Sequence, residues 1–455
     1  MKMKTFFSAL GIDRAILYTL FGRGWSMLAG LITIGFITKY LSTAEQGFYY
    51  TFTSLLGLQI VFELGMSYVV LQFASHEMAH LAWTPEGSLE GDEKARSRLR
   101  SLLVLVAKWY GTISLLIILG VLPTGWIFFS MNSHQVNVSW QFAWTWLVMS
   151  AALNIFIIPI IAILEGCGHV AEVARMRMVQ GVAGSLTCWI ALTAGGGLLA
   201  MPAMNTVMVA VGLAWLWYEY RVFFKALFSA HLPESRISWQ SEIWPFQWKI
   251  ALSWLSGYFI FQLFAPVLFA YRGPIAAGQL GMSLSIVSAI SSVAIAWVNT
   301  KTPLFGNLIA LKRYRELDAL FFRVLKQSTA VVILGVSCML LIKIYLASAG
   351  NPLNERILPM LPFLLLLLTV IVNHIIFAEA AYLRSHKAEP FMLLSVIMGV
   401  LVAGATLLFG KLFGAVGMMA GYFIFSLFVG LGWGSWIFHQ KRLAWHDISK
   451  ESHIG

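Results

Sequence analysis

The sequence predicts an all-α, polytopic membrane protein of about twelve transmembrane helices. Two observations predict it: where the apolar residues gather, and where Lys and Arg do not. A spanning helix needs about 20 mostly apolar residues to cross about 30 Å of hydrocarbon. Of the 455 residues, 59% are hydrophobic and only 11% charged, and the apolar ones form long runs without the polar face of a soluble surface helix. Bounded by their flanking polar residues, the runs are 15–38, 48–70, 103–122, 141–164, 179–200, 201–222, 250–271, 279–300, 327–348, 357–379, 391–410 and 414–438. Only the break from Gly195-Gly196-Gly197 to Pro202 separates the fifth from the sixth.

The loops between these runs alternate in charge. With the termini and even-side loops placed together, that side holds 24 of the 31 Lys and Arg, the other side holds 5, and Arg23 and Lys108 lie within spans. Positive charge is retained on the cytoplasmic face, so both termini are expected there. The net charge of +11 is then topology and contact with anionic membrane lipid, with no nucleic-acid partner. Met1–Ala15 reads as a short interfacial helix, since no small-residue cleavage site follows its apolar part. Cys167, Cys188 and Cys338 show no metal or disulfide spacing and read as small apolar fillers.

Between the spans, Gln72–Arg100 reads as a cytoplasmic loop or short surface helix, and Pro123–Trp140 as the longest external loop, free of charge. Lys301–Lys326 reads as an amphipathic interfacial helix with Leu317, Leu320 and Phe321 on its apolar side. Residues 223–249, with Trp239, Trp244 and Trp248, form a cytoplasmic connector between two halves. Two echoes support duplication. His169-Val170-Ala171-Glu172 follows span four and His386-Lys387-Ala388-Glu389 follows span ten, while short turns with Gly47 and Gly278 open spans two and eight. The expected organisation is therefore an N-terminal six-helix bundle (1–222), the connector (223–249), a C-terminal six-helix bundle (250–438) and a cytoplasmic tail (439–455). Halves with an even number of spans share orientation, which relates them by a pseudo-two-fold axis along the membrane normal.

Ionisable side chains inside a span are costly, which makes each one a functional candidate. Arg23 and Glu63 both lie about 10–12 Å below the cytoplasmic boundary at about 1.5 Å per residue. They are either an ion pair joining two helices or, for Arg23 flanked by Gly22 and Gly24, a cation able to grip phosphate oxygens. Glu165 and Glu379, near the cytoplasmic ends of spans four and ten, are candidates with Glu63 for proton or cation coupling, or simply helix-end carboxylates. His374, beside Asn373, lies well inside a span, where a hydrogen-bonded packing role is the alternative to a binding one. Ser285, Ser288, Ser292 and Asn299 share one face of span eight, either a polar stripe toward substrate or small residues for helix packing. Gln262 with Pro266, and Asn154 with Pro159, mark expected bends. Lys108, Arg272 and Lys343 read as side chains snorkelling to the interface. No P-loop, His-Glu-x-x-His, Cys-x-x-Cys or Gly-x-Ser-x-Gly motif occurs, so neither ATP hydrolysis, a metal centre nor catalysis is indicated, and no cofactor is expected.

Several segments together resemble the polysaccharide (O-antigen-type) flippases of the multidrug/oligosaccharidyl-lipid/polysaccharide exporter superfamily. They are Thr38-Lys39-Tyr40-Leu41-Ser42 with Glu45-Gln46-Gly47-Phe48-Tyr49, Phe62-Glu63-Leu64-Gly65-Met66, Glu165-Gly166-x-Gly168, Ala276-Ala277-Gly278-Gln279-Leu280-Gly281 and Lys301-Thr302-Pro303-Leu304. The resemblance implies two six-helix bundles around a central cavity in a bacterial inner membrane. It also implies alternating-access transfer of a polyprenyl-pyrophosphate-linked oligosaccharide for cell-surface polysaccharide, with lipopolysaccharide O-antigen as the type case. Arg23 would line the cavity, a proton or sodium gradient would drive transport, and other polysaccharide-assembly proteins would be partners. A cation-coupled drug or small-molecule antiporter of the same superfamily is the alternative. A membrane glycan polymerase or acyltransferase would need charged external loops that this chain lacks.

Overall fold

The computed structural model describes residues 14–59, 63, 66–132, 137–229, 237–244, 248, 255, 257–386 and 388–451. All but the last two residues of the expected interfacial helix (1–15), the start of span seven and parts of the 223–249 connector lie outside them. The protein is an all-α polytopic membrane protein. Its first helices are α1 (Arg14–Tyr40), α2 (Thr43–Leu56) and α3 (Met66–Met78). A two-stranded hairpin, β1 (Leu81–Trp83) and β2 (Leu89–Gly91), precedes α4 (Glu93–Leu116). Then come α5 (Leu122–Asn132), α6 (Gln141–Gly166), α7 (Val170–Thr193) and α8 (Ala200–Ser229). The later part holds α9 (Phe264–Asn299), α10 (Thr302–Ala310), α11 (Tyr314–Ser348), α12 (Met360–Ser385), α13 (Met392–Phe425) and α14 (Gly434–Glu451).

Among the described residues, 8 helical stretches are long and apolar enough to cross a bilayer. Two of them, Gly257–Ala310 and Met392–His446, run to 54 and 55 residues, far beyond one crossing. Each is broken at a glycine in the left-handed region, Gly273 (φ 85°) and Gly414 (φ 62°). A side chain would strain the backbone at both points, and both lie where adjacent spans were expected to turn.

By packing, the chain divides into two compact units: Met1–Glu45 with Leu55–Leu255, and Gln46–Ser54 with Ser256–Gly455. In the first unit α6 is central, with Trp144, Leu147, Val148, Ile155, Ile161 and Leu164 buried and α3, α4, α7 and α8 packed around it. Helix α1 lies against α7 through Gly22, Trp25, Thr33 and Phe36, which recur at helical spacing. Trp25 Nε1 donates to Ser185 Oγ (2.9 Å), Trp189 Nε1 donates to Thr33 Oγ1 (2.9 Å), and Phe36 stacks on Trp189. A capping box starts α2: Ser42 Oγ accepts the Glu45 amide (3.1 Å) and Glu45 Oε2 accepts the Ser42 amide (2.8 Å).

Residues 46–54 pack with the second unit, where the approach to α9 is too close for side chains. A Cβ on Gly47 would overlap the Pro274 carbonyl, and one on Gly281 would overlap Tyr50. Buried Gln46 donates to the Gly278 carbonyl (2.9 Å) and the Arg356 carbonyl (3.0 Å). The motif residues around Gly47 and Gly278 are thus the two faces of one tight helix crossing, built as membrane helices build them, from small residues. Helix α12 is central to this unit, with α9, α11 and α13 against it and Phe363, Leu366, Leu367, Ala378 and Tyr382 in its core.

Several loop expectations are corrected. Pro123–Trp140 is not an external loop for most of its length: α4 runs through a wider π-type turn (Ile117–Val121) into α5, giving one 40-residue helical stretch from Glu93 to Asn132. Gln72–Arg100 holds the end of α3, the hairpin and the start of α4, with Trp83 Nε1 donating to the Cys167 carbonyl (2.9 Å). Lys301–Lys326 splits at Lys312 (φ 56°) into short α10 and the beginning of α11. Leu317 and Phe321 enter the core of the second unit instead of facing lipid. Lys343 does not snorkel: it is 3% exposed, and its ammonium donates to the Asn354 carbonyl (3.0 Å). Of the two expected bends, the helix breaks at Gln262–Leu263 just before Pro266, whereas Pro159 sits inside an unbroken α6.

Candidate functional site

The ionisable groups within the spans fall into distinct environments. Arg23 is exposed on the side of α1 away from α7 and has no hydrogen-bond or ion-pair partner among the described residues. Nothing lies within 4 Å of where a Cβ on neighbouring Gly24 would sit, so the space beside it is open. The Arg23–Glu63 ion pair does not form. The Glu63 carboxylate is instead the end of a hydroxyl chain: Ser67 Oγ donates to Glu63 Oε1 (2.6 Å) and lies 3.1 Å from the hydroxyl of Tyr110, which α4 buries completely. Ser67 lies one turn beyond Glu63, so local spacing supplies the first link. Tyr110 arrives from a different helix and was not read from sequence.

Glu165 is taken by Arg177 of α7 (2.7 Å), which makes it a helix-end ion pair. Glu379 is 6% exposed; Ser435 Oγ donates to its Oε1 (2.8 Å), while its Oε2 is buried without a partner among the described residues. His374 is 2% exposed and bonded through Nε2 to Ser328 Oγ (2.8 Å), and neighbouring Asn373 donates to the Tyr422 hydroxyl (2.7 Å). Both side chains hold helices of the second unit together. On α9, Ser288, Ser292 and Asn299 are exposed and Ser285 is half-buried. Ser285 donates back to the Gly281 carbonyl and Ser292 to the Ser288 carbonyl. This face is polar at its hydroxyls, each of which can accept as well as donate.

Sequence reading missed two polar clusters at the ends of the helices that carry most Lys and Arg. In the first unit Arg98 of α4 spans two carboxylates, Glu77 of α3 (Nε–Oε1 2.7 Å) and Glu242 (Nη2–Oε2 2.6 Å), beside an open cleft of about 660 Å³. Glu242 belongs to a turn (Trp239–Ile243) held to α4 by the Ile237 amide on Ser101 Oγ (3.0 Å) and by Trp239 against Trp109. Burial alone would raise the Glu242 pKa, but the Ser238 amide and Arg98 outweigh it and hold the carboxyl below its ordinary value. In the second unit Asp318 of α11 accepts from the Tyr382 hydroxyl (2.9 Å) and faces Arg442 (3.5 Å) and His446 (3.7 Å) of α14. The signal for both was opposite charge in segments that read as surface elements: the Gln72–Arg100 loop and the connector for the first, the Lys301–Lys326 interfacial helix and the tail for the second.

The two His-x-Ala-Glu turns also take similar settings. The His169 ring lies 4.4 Å from Trp83 and 5.1 Å from Tyr220, and His386 stacks 4.1 Å over Trp445 and 5.2 Å from Tyr382. Burial lowers both imidazole pKa values; Glu172 partly opposes it at His169, and the bond to the Tyr382 carbonyl does so at His386.

These helices, with their mid-span ionisable groups and no catalytic constellation among the described residues, have the fold of the transporters of the MOP superfamily. An inward-facing multidrug resistance MATE family transporter of that superfamily is 16% identical with a TM-score of 0.62, over 95% of this chain and 96% of that one. The lipid II flippase MurJ in an inward closed conformation is 11% identical with a TM-score of 0.61, over 94% of this chain and 90% of that one. A MOP superfamily transporter from Pyrococcus furiosus, described as having a binding pocket of reverse polarity, is 14% identical with a TM-score of 0.53, over 94% and 95%. No protein-family model matches the sequence, and no curated protein matches it.

Proposed function

We propose that this protein is a flippase. It moves a polyprenyl-pyrophosphate-linked oligosaccharide from the cytoplasmic to the outer leaflet of a bacterial inner membrane by alternating access, for cell-surface polysaccharide assembly. Both termini are cytoplasmic, and the other polysaccharide-assembly proteins are its partners. The observation that carries this reading is Arg23, an exposed guanidinium in an apolar span with no counter-ion among the described residues. A cation kept there at a cost is kept for an anion the protein does not itself supply, and a pyrophosphate fits a planar, multi-donor fork. Ser288, Ser292 and Asn299, exposed on α9, are polar groups suited to sugar hydroxyls, with Ser285 below them.

Glu63 supports proton or sodium coupling. Its carboxylate accepts from the Ser67 hydroxyl and has no cationic partner among the described residues, so it can take up a proton or a metal ion without first breaking an ion pair. That same observation favours a second reading, a cation-coupled small-molecule antiporter. Glu379, buried with one free oxygen, is the further coupling candidate, and Glu165 is less available because Arg177 holds it.

The test is Arg23→Ala in cells whose surface glycan depends on this chain. Surface glycan should be lost and its lipid-linked precursor should accumulate, with protein level unchanged; Arg23→Lys should recover only part. Normal glycan with Arg23→Ala would remove Arg23 from the site. Unchanged glycan in a strain lacking the whole chain, with heightened sensitivity to toxic cations, would establish the antiporter instead.

A further inference from the structure

We propose that the outer face of α8, at its Lys/Arg-rich end, is a binding site for an anionic glycerophospholipid, a ligand distinct from any transported substrate. Trp217, Tyr218, Arg221, Lys225 and Phe228 fall within about a third of the helix circumference at 100° per residue, and all five are exposed. Arg221 and Lys225 have no hydrogen-bond or ion-pair partner among the described residues. A third cation reaches the same face from α4: the Arg100 guanidinium lies 5.8 Å from the Phe228 ring centre. The nearest carboxylate in sequence, Glu219, projects from the other side of α8 and is held by Arg175 (3.4 Å).

The order along the helix matches a phospholipid. Arg221 and Lys225 lie about one and two turns beyond Trp217, so the cations sit about 6–12 Å further along the axis than the indole. Trp and Tyr favour the headgroup level, with hydrocarbon on one side and charge on the other. A phosphodiester placed between Arg221 and Lys225 leaves its acyl chains running along Trp217 toward the middle of the span. Phe228 caps the opposite side and helps to position Arg100. The chemistry required is a net negative headgroup on a lipid, since a free phosphate would leave the exposed aromatic pair uncovered.

Native mass spectrometry of the full-length protein, stripped of lipid in detergent, tests this. Phosphatidylglycerol, phosphatidylcholine and soluble glycerol phosphate would each be titrated separately. Wild type should retain one phosphatidylglycerol in preference to phosphatidylcholine and should not retain glycerol phosphate. With each cation near the surface contributing about a factor of five, Arg221→Gln with Lys225→Gln should weaken retention about 30-fold. Lys411→Gln, in the second unit, should leave retention unchanged. Equal retention of the two lipids, retention of glycerol phosphate, or undiminished phosphatidylglycerol on the double variant would each overturn the site. Both substituted residues are exposed and without a partner among the described residues, so a matching elution volume and melting temperature show that the variant is folded.

Discussion

At their Lys/Arg-rich ends the two units solve the same problem with opposite charge. In the first unit the segment after the last helix is pinned by a cation between two carboxylates, Arg98 between Glu77 and Glu242. In the second, the final helix α14 is pinned by a carboxylate among donors, Asp318 facing Tyr382, Arg442 and His446. What recurs is the demand: a chain leaving a helical bundle must be tied down where hydrocarbon gives way to water. The residues that meet it are interchangeable in sign, because a charge-assisted hydrogen bond works in either direction. The two clamps differ in their response to pH. Arg98 stays charged throughout, whereas the imidazole of His446 contributes charge only when protonated.

The largest predicted effect is Arg98→Ala, which leaves Glu77 and Glu242 side by side without their shared cation. With side chains 11–31% exposed, the loss should be on the order of 2 kcal/mol, read as a lower melting temperature in detergent. Adding Glu242→Gln should cost little more, since the pair acts as one unit. A full additive loss would show that the three groups do not form a clamp. Asp318→Asn should be milder, about 1 kcal/mol, because the amide oxygen still accepts from Tyr382 while the attraction to Arg442 and His446 disappears. Faster proteolysis within α14 would report it, and unchanged cleavage would deny Asp318 its anchoring part.

The smallest effects are in pH slope. His169 and His386 have lowered pKa values in the folded protein, so protonation favours the unfolded chain. Stability should therefore fall as pH drops below the ordinary imidazole value of 6.5. His386→Phe keeps the ring stacked on Trp445 and should flatten that slope; an unchanged slope would assign the acid sensitivity elsewhere. Glu242 has the same sign in a lower window, with stabilisation present above the ordinary 4.5 and lost only as pH falls below it. The first-unit clamp should thus outlast the histidine settings during acidification.

Much of the fold was legible because the bilayer imposes it residue by residue. The spans, the break near Gly195, the turns at Gly273 and Gly414 and the paired His169 and His386 turns all depend on local composition or on one residue's backbone. The site was less legible. Arg23 and Glu63 share a depth, but depth says nothing of azimuth, and one residue along a helix rotates a side chain by about 100°. Glu63 turned out to address Ser67 and, through it, Tyr110, and His374 to address Ser328. Pro123–Trp140 was misread because α5, though helical, carries the proline and glycine of a loop.

By itself the sequence determined that this is a polytopic α-helical membrane protein and which segments carry positive charge. Hydrocarbon thickness and backbone hydrogen bonding leave few alternatives to that outcome. Only the tertiary structure decided that Gln46–Ser54 packs with the second unit, that Arg98 is shared by two carboxylates and that Arg23 has no partner among the described residues. Those facts depend on which helix faces meet, and inside a membrane that choice rests on close contact between small residues far apart in the chain, such as Gly47 and Gly278.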